Sequence, residues 1–193
     1  MSVEIEAKLK VDNHDAARQK LRELGAVPAG RRLEINALFD TDDRSLRACD
    51  KGLRVRVRRN LEDGTEDAFL TFKGPQQPGH FKNREEIETG IEDAEALVAL
   101  LSALGYKRIA SFEKRRESWE LSGCKIELDE VPRLGCFVEI EGPGEEAISD
   151  VQAKLGLARV ASVRSSYMAL LTDYLQEHGG GEHTGEQIIT FPH

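Results

Sequence analysis

Acidic and basic side chains recur at every second residue along seven stretches of this chain. Glu4, Glu6 and Lys8 share one parity, as do Arg54, Arg56 and Arg58. Thr71 and Lys73 follow the same scheme, and so do Arg84, Glu86 and Glu88. Lys114 pairs with Arg116, Lys125 with Glu127 and Asp129, and Glu139 with Glu141. The intervening positions are mostly apolar. Residues i and i+2 of a strand share a face, so each stretch presents one ionic face and one apolar face. Guanidinium and ammonium groups clamp phosphoryl oxygens. Paired carboxylates hold Mg²⁺ or Mn²⁺, which in turn bridges to phosphate. A face built only from these groups is suited to a polyanion bound together with a divalent cation.

Eight strands are expected to carry these faces, over residues 3–11, 33–41, 53–59, 67–73, 82–89, 109–121, 125–131 and 136–141. Short polar or glycine-containing links join most of them and favour antiparallel pairing. Helices are expected after Asn13 or Asp15 up to Gly25, after Asp93 up to Gly105, and over 145–155 and 165–177. A strand–helix–three-strand unit occurs twice, with LRELGAV in the first copy matched by LSALGYK in the second. The alternation by itself leaves two arrangements open. One is a half-buried sheet whose ionic face meets water. The other is a closed barrel, for which eight strands suffice, with the ionic faces inside and the apolar faces under helices. Successive same-face residues lie roughly 6.8 Å apart, where like charges at an effective dielectric near 20 repel by about 2–3 kcal/mol. The run Arg54-Arg56-Arg58 is tolerable in water but costly in an enclosure without an anionic partner.

The remaining composition narrows the possibilities. The chain has 193 residues, 27 basic and 35 acidic side chains, and a formal charge of −8. That charge disfavours nucleic acid or an anionic membrane on the outer surface. No apolar run approaches the roughly 20 residues of a membrane span, and MSVEIEAKLK lacks the pattern of a signal peptide. Cys49, Cys124 and Cys136 have no metal or redox spacing and read as ordinary thiols of a reducing compartment, so a cytoplasmic location is expected. The five histidines have no metal spacing either, and His183 and His193 lie in the C-terminal tail. Residues 1–177 are expected to form one domain, and 178–193 a flexible glycine-rich tail in which Ile188 and Ile189 are the residues able to dock. GPQQPGH lacks the ending of a phosphate-binding P-loop.

These residues also resemble a known family. VEIEAKLKV carries the E-x-E-x-K signature that opens the CYTH proteins, or triphosphate tunnel metalloenzymes. LFDTDD, LRVRVRR, LTFKGP, REEIE, FEKRRESW, IELDEV, FVEIEG and SSYMALL follow in order. FVEIEG and SSY are most similar to the class IV adenylate cyclase-like branch. The resemblance implies an α+β fold: a closed eight-stranded antiparallel β-barrel, the triphosphate tunnel, with helices packed outside and two pseudo-repeated βαβββ halves. It implies metal ligation by Glu4, Glu6, Glu139 and Glu141, and phosphate binding by Arg54, Arg56, Lys73, Arg84, Lys114 and Arg116. Lys8 would lie near the reacting phosphoryl group, with Glu4 and Glu6 beside it in the catalytic set. Glu86, Glu88 and Asp129 would orient the basic residues or complete a second metal site. By parity Arg59 and Arg115 should face outward. One departure stands out: some hydrolytic members carry a Lys on the last helix, whereas no Lys follows Lys154 here, and Arg164 and Tyr167 are the nearest polar candidates. The implied activity is metal-dependent hydrolysis of a small triphosphate: tripolyphosphate, thiamine triphosphate or a nucleoside triphosphate. The alternatives are cyclisation of ATP to cyclic AMP and pyrophosphate, and triphosphate binding without turnover. The implied partner is a small molecule, and the chain a monomer or homodimer.

Overall fold

The computed structural model describes residues 2–179 and 186–192, with side chains described from Glu4. In chain order the elements are β1 (Ser2–Val11), α1 (Asp15–Glu23), β2 (Val27–Asp40), α2 (Ser45–Ala48), β3 (Gly52–Asn60), β4 (Glu66–Gln76) and β5 (Lys82–Ile91). There follow α3 (Ala94–Ala103), β6 (Lys107–Leu121), β7 (Cys124–Val131), β8 (Gly135–Glu141), α4 (Glu145–Lys154), α5 (Tyr167–Gly179) and β9 (Gln187–Ile189).

Strands β1 to β8 form a closed antiparallel barrel. The order runs β2-β3-β4-β5-β1-β8-β7-β6, and a β2–β6 pairing shuts the ring. The two longest strands of the barrel make that seam, from Val27 opposite Glu120 to Asp40 opposite Lys107. The expected repeat is visible in the pairing. Exchanging β1-β2-β3-β4 for β5-β6-β7-β8 maps every neighbouring pair of the ring onto another neighbouring pair.

Parity sorts the two faces as expected. The outward apolar residues Ala7, Leu9, Ile126, Leu128, Val138 and Ile140 pack under Ala17 and Leu21 of α1 and Ile148 and Val151 of α4. Phe39 and Val55 pack under Leu97, Val98 and Leu101 of α3. The ionic residues point into the lumen, and Glu6, Lys8, Arg84, Lys114, Arg116, Asp129 and Glu139 are all buried there. Arg59 and Arg115 do face outward, each about half exposed.

Helix α5 departs from an outside packing. It covers one end of the barrel, where the inward parity of four strands turns apolar at Leu38, Phe112, Val131 and Phe137. Tyr167 and Leu171 seat against that patch. A solvated tunnel mouth would leave these rings wet, and α5 removes them from water.

The C-terminal segment also differs from a flexible tail. Gln187–Ile189 pairs in parallel with Ala110–Phe112 of β6. This stretch of β6 has an open edge because β7 covers β6 only from Arg115 onward. Ile189 and Phe191 are buried, so two apolar side chains gain a core in return for ordering the segment. The flexibility expected for 180–185, with His183, and for His193 falls outside the described residues. Among the described residues no helix is long and apolar enough to cross a membrane.

Gly142 follows the lumen residue Glu141 and sets how closely α4 approaches the barrel. A Cβ there would lie 2.8 Å from Cys124 Sγ and 3.0 Å from Ile148 Cγ1. Gly142→Ala is therefore expected to destabilise the protein by about 1–3 kcal/mol through overpacking. Chemical denaturation checks this, and a parent-like midpoint would contradict it.

Candidate active site

The lumen holds a cavity of about 330 Å³. Ten cationic side chains and six carboxylates line it. Each strand contributes through its own parity, and the register then decides which charges meet. Glu6 lies opposite Glu141 and Lys8 opposite Glu139 across the β1–β8 ladder. Glu4 lies opposite Arg84, and Glu6 opposite Lys82, across β1–β5. The barrel thus gathers Glu4, Glu6, Glu139 and Glu141 on two adjacent strands. Arg54, Arg56, Lys73, Arg84, Lys114 and Arg116 stand around the remaining wall.

Many of these charges already have partners. Lys82 Nζ donates to Glu6 Oε1 at 2.5 Å. Lys8 Nζ lies 3.4 Å from Glu139 and 3.8 Å from Glu6, and donates to the Ser165 carbonyl at 3.0 Å. Lys73 contacts Glu86 and lies 3.5 Å from Glu4. Arg56 donates to Asn36 Oδ1 at 2.8 Å and lies 3.4 Å from Glu34. Glu34 also lies 3.3 Å from Lys114. Asp129 is fully buried behind this layer. It accepts from Arg116 Nε at 2.6 Å, Lys114 at 3.1 Å and the Tyr167 hydroxyl at 2.8 Å. Its carboxylate therefore orients Arg116 and Lys114, and its surroundings are cations and a hydroxyl. Glu88 stands at the rim, accepting from Thr71 at 2.8 Å and lying 3.6 Å from Arg54.

Other polar groups lack a full set of partners, and these bear on what the cavity can accept. Nε of Arg54 and Nε of Arg84 are buried with no hydrogen-bond partner. Burial, together with the Arg56 guanidinium, pushes Arg54 down to about 10. A buried unpaired donor costs about 1–3 kcal/mol, and an anion in the cavity would supply the missing acceptors. Burial and the neighbouring Glu4 and Glu6 raise the Glu141 carboxyl above the usual range. No ion pair with Glu141 occurs among the described residues. Repulsion among these carboxylates is what a divalent cation would relieve. No ready-made cluster of three metal-ligating side chains is present among the described residues, because Glu6 and Glu139 are drawn to Lys82, Lys8 and Arg116. Their oxygen-only donor set nonetheless fits a hard cation such as Mg²⁺ or Mn²⁺.

Several participants were not singled out by sequence reasoning. Lys82 shares the inward parity of Arg84 and was open to the same argument. Glu34 and Asn36 sit on β2, where the ionic alternation is sparse, so their burial follows only from barrel closure. Tyr167 places its ring 4.3 Å from Lys8 Nζ and 5.2 Å from Lys114 Nζ. Arg164, the other polar candidate near the last helix, contacts the Gly79 carbonyl instead.

Comparison with known proteins adds a family and several relatives. The CYTH domain family matches residues 2–167. A Methanocaldococcus jannaschii protein named "Putative adenylate cyclase MJ0240" is 31% identical, with 87% of this chain and 98% of the relative covered. Adenylate cyclase CyaB of Aeromonas hydrophila is 27% identical, with 86% of this chain and 87% of the relative covered. The solved structure of the PH1819 protein of Pyrococcus horikoshii superposes with a TM-score of 0.77 at 31% identity, covering 88% of this chain and 98% of that one.

One pH dependence follows from the cavity. Burial and the hydrogen bond with Glu4 raise Glu86 from 4.5 to about 7. The folded protein thus keeps a proton on Glu86 that the unfolded chain loses near pH 4.5. The associated stability is present below that pH and is lost as the pH rises through about 7. Glu4 shifts downward, so its own contribution changes only below pH 4.5, outside this window. Glu86→Gln, which imitates the protonated carboxyl, should melt close to the parent at pH 5 and clearly above it at pH 8 in metal-free buffer. A melting difference independent of pH would contradict the assignment.

Proposed function

The chain belongs to the CYTH domain family, and on that premise we propose that it is a divalent-metal-dependent enzyme that holds a triphosphate in its tunnel and hydrolyses it. The observation that carries this reading is the pair of buried, unpartnered guanidinium nitrogens of Arg54 and Arg84. They line a cavity that also bears Glu4, Glu6, Glu139 and Glu141 on β1 and β8. The unpartnered donors suit an anion and the carboxylates a cation, and a metal-complexed triphosphate offers both. Arg54, Arg56, Lys73, Arg84, Lys114 and Arg116 would bind the phosphoryl oxygens. Asp129 and Glu34 hold Arg116, Lys114 and Arg56 in place from behind. Glu4, Glu6, Glu139 and Glu141 would hold Mg²⁺ or Mn²⁺, which when bound neutralises charge on the phosphoryl oxygens and orients them. Lys8, fixed between Glu139 and the Ser165 carbonyl, would stand beside the reacting phosphoryl group. Phosphoryl transfer asks little covalent chemistry of a protein, so positioning and charge stabilisation supply most of the rate.

A second reading has specific support. Two relatives, 31% and 27% identical, bear the name adenylate cyclase. In cyclisation the ribose 3′-oxygen attacks the α-phosphorus and pyrophosphate leaves. The same charged lumen serves either reaction, because the outcome depends on which phosphorus stands beside the metal.

Incubating the protein with tripolyphosphate, thiamine triphosphate or ATP, each with Mg²⁺ or Mn²⁺, separates these readings. Release of inorganic phosphate is expected. Cyclic AMP with pyrophosphate would select the cyclase, and tight binding without product would reduce the protein to a binding module. Glu6→Gln should abolish metal-dependent turnover while leaving a folded protein by circular dichroism. Parent-like activity would remove Glu6 from the metal set.

Arg54 yields a further test, because it combines a function with a cost. Arg54→Met should raise the ligand-free melting temperature, since it removes a buried, repelled cation. It should also weaken triphosphate binding by about 10–100-fold, the loss of one charge-assisted hydrogen bond. Calorimetry and titration measure the two effects. A large destabilisation without ligand would make Arg54 a structural ion-pair partner instead.

A further inference from the structure

Lys8 is buried, and its ammonium group carries three N–H donors. Among the described residues Nζ makes one hydrogen bond, to the Ser165 carbonyl at 3.0 Å. Its carboxylate neighbours stand further off, Glu139 at 3.4 Å and Glu6 at 3.8 Å. The remaining contact is the face of the Tyr167 ring, whose centroid lies 4.3 Å from Nζ. A neutral carbonyl and a neutral ring thus place this ammonium as much as opposite charge does. Both come from the stretch that leads into α5.

That stretch is tied to β1 through the backbone as well. The Val163 N–H donates to the Lys8 carbonyl at 2.7 Å, and Ser162 bridges to Leu9. Val163, Ser165 and Tyr167 therefore meet the same lysine in turn, the first at its carbonyl and the other two at its ammonium group.

Tyr167 is itself held firmly. It is buried, and its ring meets Phe137 edge-on, with centroids 5.1 Å apart and an interplanar angle of 76°. A phenylalanine would fill the same apolar seat, so packing does not account for the hydroxyl. That hydroxyl donates to Asp129 Oδ2 at 2.8 Å. The same oxygen accepts from Lys114 at 3.1 Å and from Arg116. The residue thus reaches two sets of cations with two different parts. Its ring faces Lys8, and its hydroxyl reaches Lys114 and Arg116 through Asp129. A ring face attracts an ammonium group through its quadrupole. Unlike a carboxylate at that place, it leaves the full positive charge available to a phosphoryl oxygen.

We propose that Tyr167 is a positioning residue for the reaction in the tunnel, and that its two parts divide the task. The ring sets Lys8 beside the reacting phosphoryl group while leaving that charge unspent. The hydroxyl sets Asp129, and through it the phosphate-binding cations Lys114 and Arg116. The proposal rests on the tunnel being a triphosphate site in which Lys8 faces the reacting group.

The test measures kcat and KM with Mg²⁺, on tripolyphosphate or ATP, whichever the parent turns over faster. Calorimetry adds Kd for tripolyphosphate in metal-free buffer. The variants are Tyr167→Phe, Tyr167→Leu and, as a packing control, Leu171→Ala. Leu171 is fully buried in the same cluster as Tyr167 and does not line the tunnel cavity. Tyr167→Phe keeps the ring, so kcat should stay within about twofold of the parent while KM and Kd rise about fivefold with the lost hydrogen bond. Tyr167→Leu should lower kcat about tenfold below Tyr167→Phe, because the ring no longer holds Lys8. Leu171→Ala should lower the melting temperature and keep kcat within about twofold. Melting curves establish that each variant is folded, and Tyr167→Phe carries the test if the leucine is not tolerated. Parent-like KM and Kd in Tyr167→Phe would overturn the role of the hydroxyl. Equal kcat in Tyr167→Phe and Tyr167→Leu would overturn that of the ring. A loss of kcat in Leu171→Ala as large as in Tyr167→Leu would reduce Tyr167 to a packing residue. A parent that turns over neither compound would instead overturn the reading of the tunnel, and this inference with it.

Discussion

Everything in this molecule turns on the cost of enclosing charge. A carboxylate or guanidinium taken out of water loses several kcal/mol of hydration, which the protein returns only through close opposite charges. The barrel encloses such groups on all eight strands. It can do so because cations and carboxylates meet across the ladders: Lys82 with Glu6, Lys8 with Glu139, and Lys114 and Arg116 with Asp129. The apolar residues of the same strands provide the stability that the ionic residues consume. Their burial under α1, α3 and α4 is a direct consequence of the same two-residue period.

The pairing is incomplete in a particular way. The cations outnumber the carboxylates around the cavity, and Nε of Arg54 and Nε of Arg84 stay without acceptors. The carboxylates in turn crowd onto β1 and β8, where Glu141 lacks a cationic partner among the described residues. On the proposed reading, a metal-bound anion would satisfy the unpartnered Nε groups and the crowded carboxylates together. On the same reading the scaffold holds the cationic side chains in place, so little reorganisation of them would be needed when charge develops during reaction.

Much of this was legible in the sequence, because strand parity is a strong signal when one face is uniformly ionic. The eight strands, the inward direction of Arg84 and Lys114, and the outward direction of Arg59 and Arg115 all follow from it. What parity does not contain is register. That Glu6 meets Lys82, or that Arg56 rests on Asn36 and Glu34, depends on which strands become neighbours and with what offset. The role of α5 was hidden for a related reason. Its seat is assembled from Leu38, Phe112, Val131 and Phe137, one residue from each of four strands, and no local window displays that patch. The docking of β9 depends on an open stretch of β6 that exists only because β7 stops short. The pair Ile188-Ile189 offered itself for docking, but neither its seat on β6 nor the burial of Phe191 had a local signal in the glycine-rich segment.

The formal charge of −8 takes on meaning at this point. The lumen carries an excess of cations, so the rest of the surface must be more acidic than the total suggests. Such an exterior repels long polyanions, whose charges would lie outside the barrel, within a Debye length of the surface. A small triphosphate that has already bound a divalent cation carries less charge and can present all of it to the interior. On the proposed reading, the contrast between surface and lumen would filter ligands by size and metal loading before any specific contact forms.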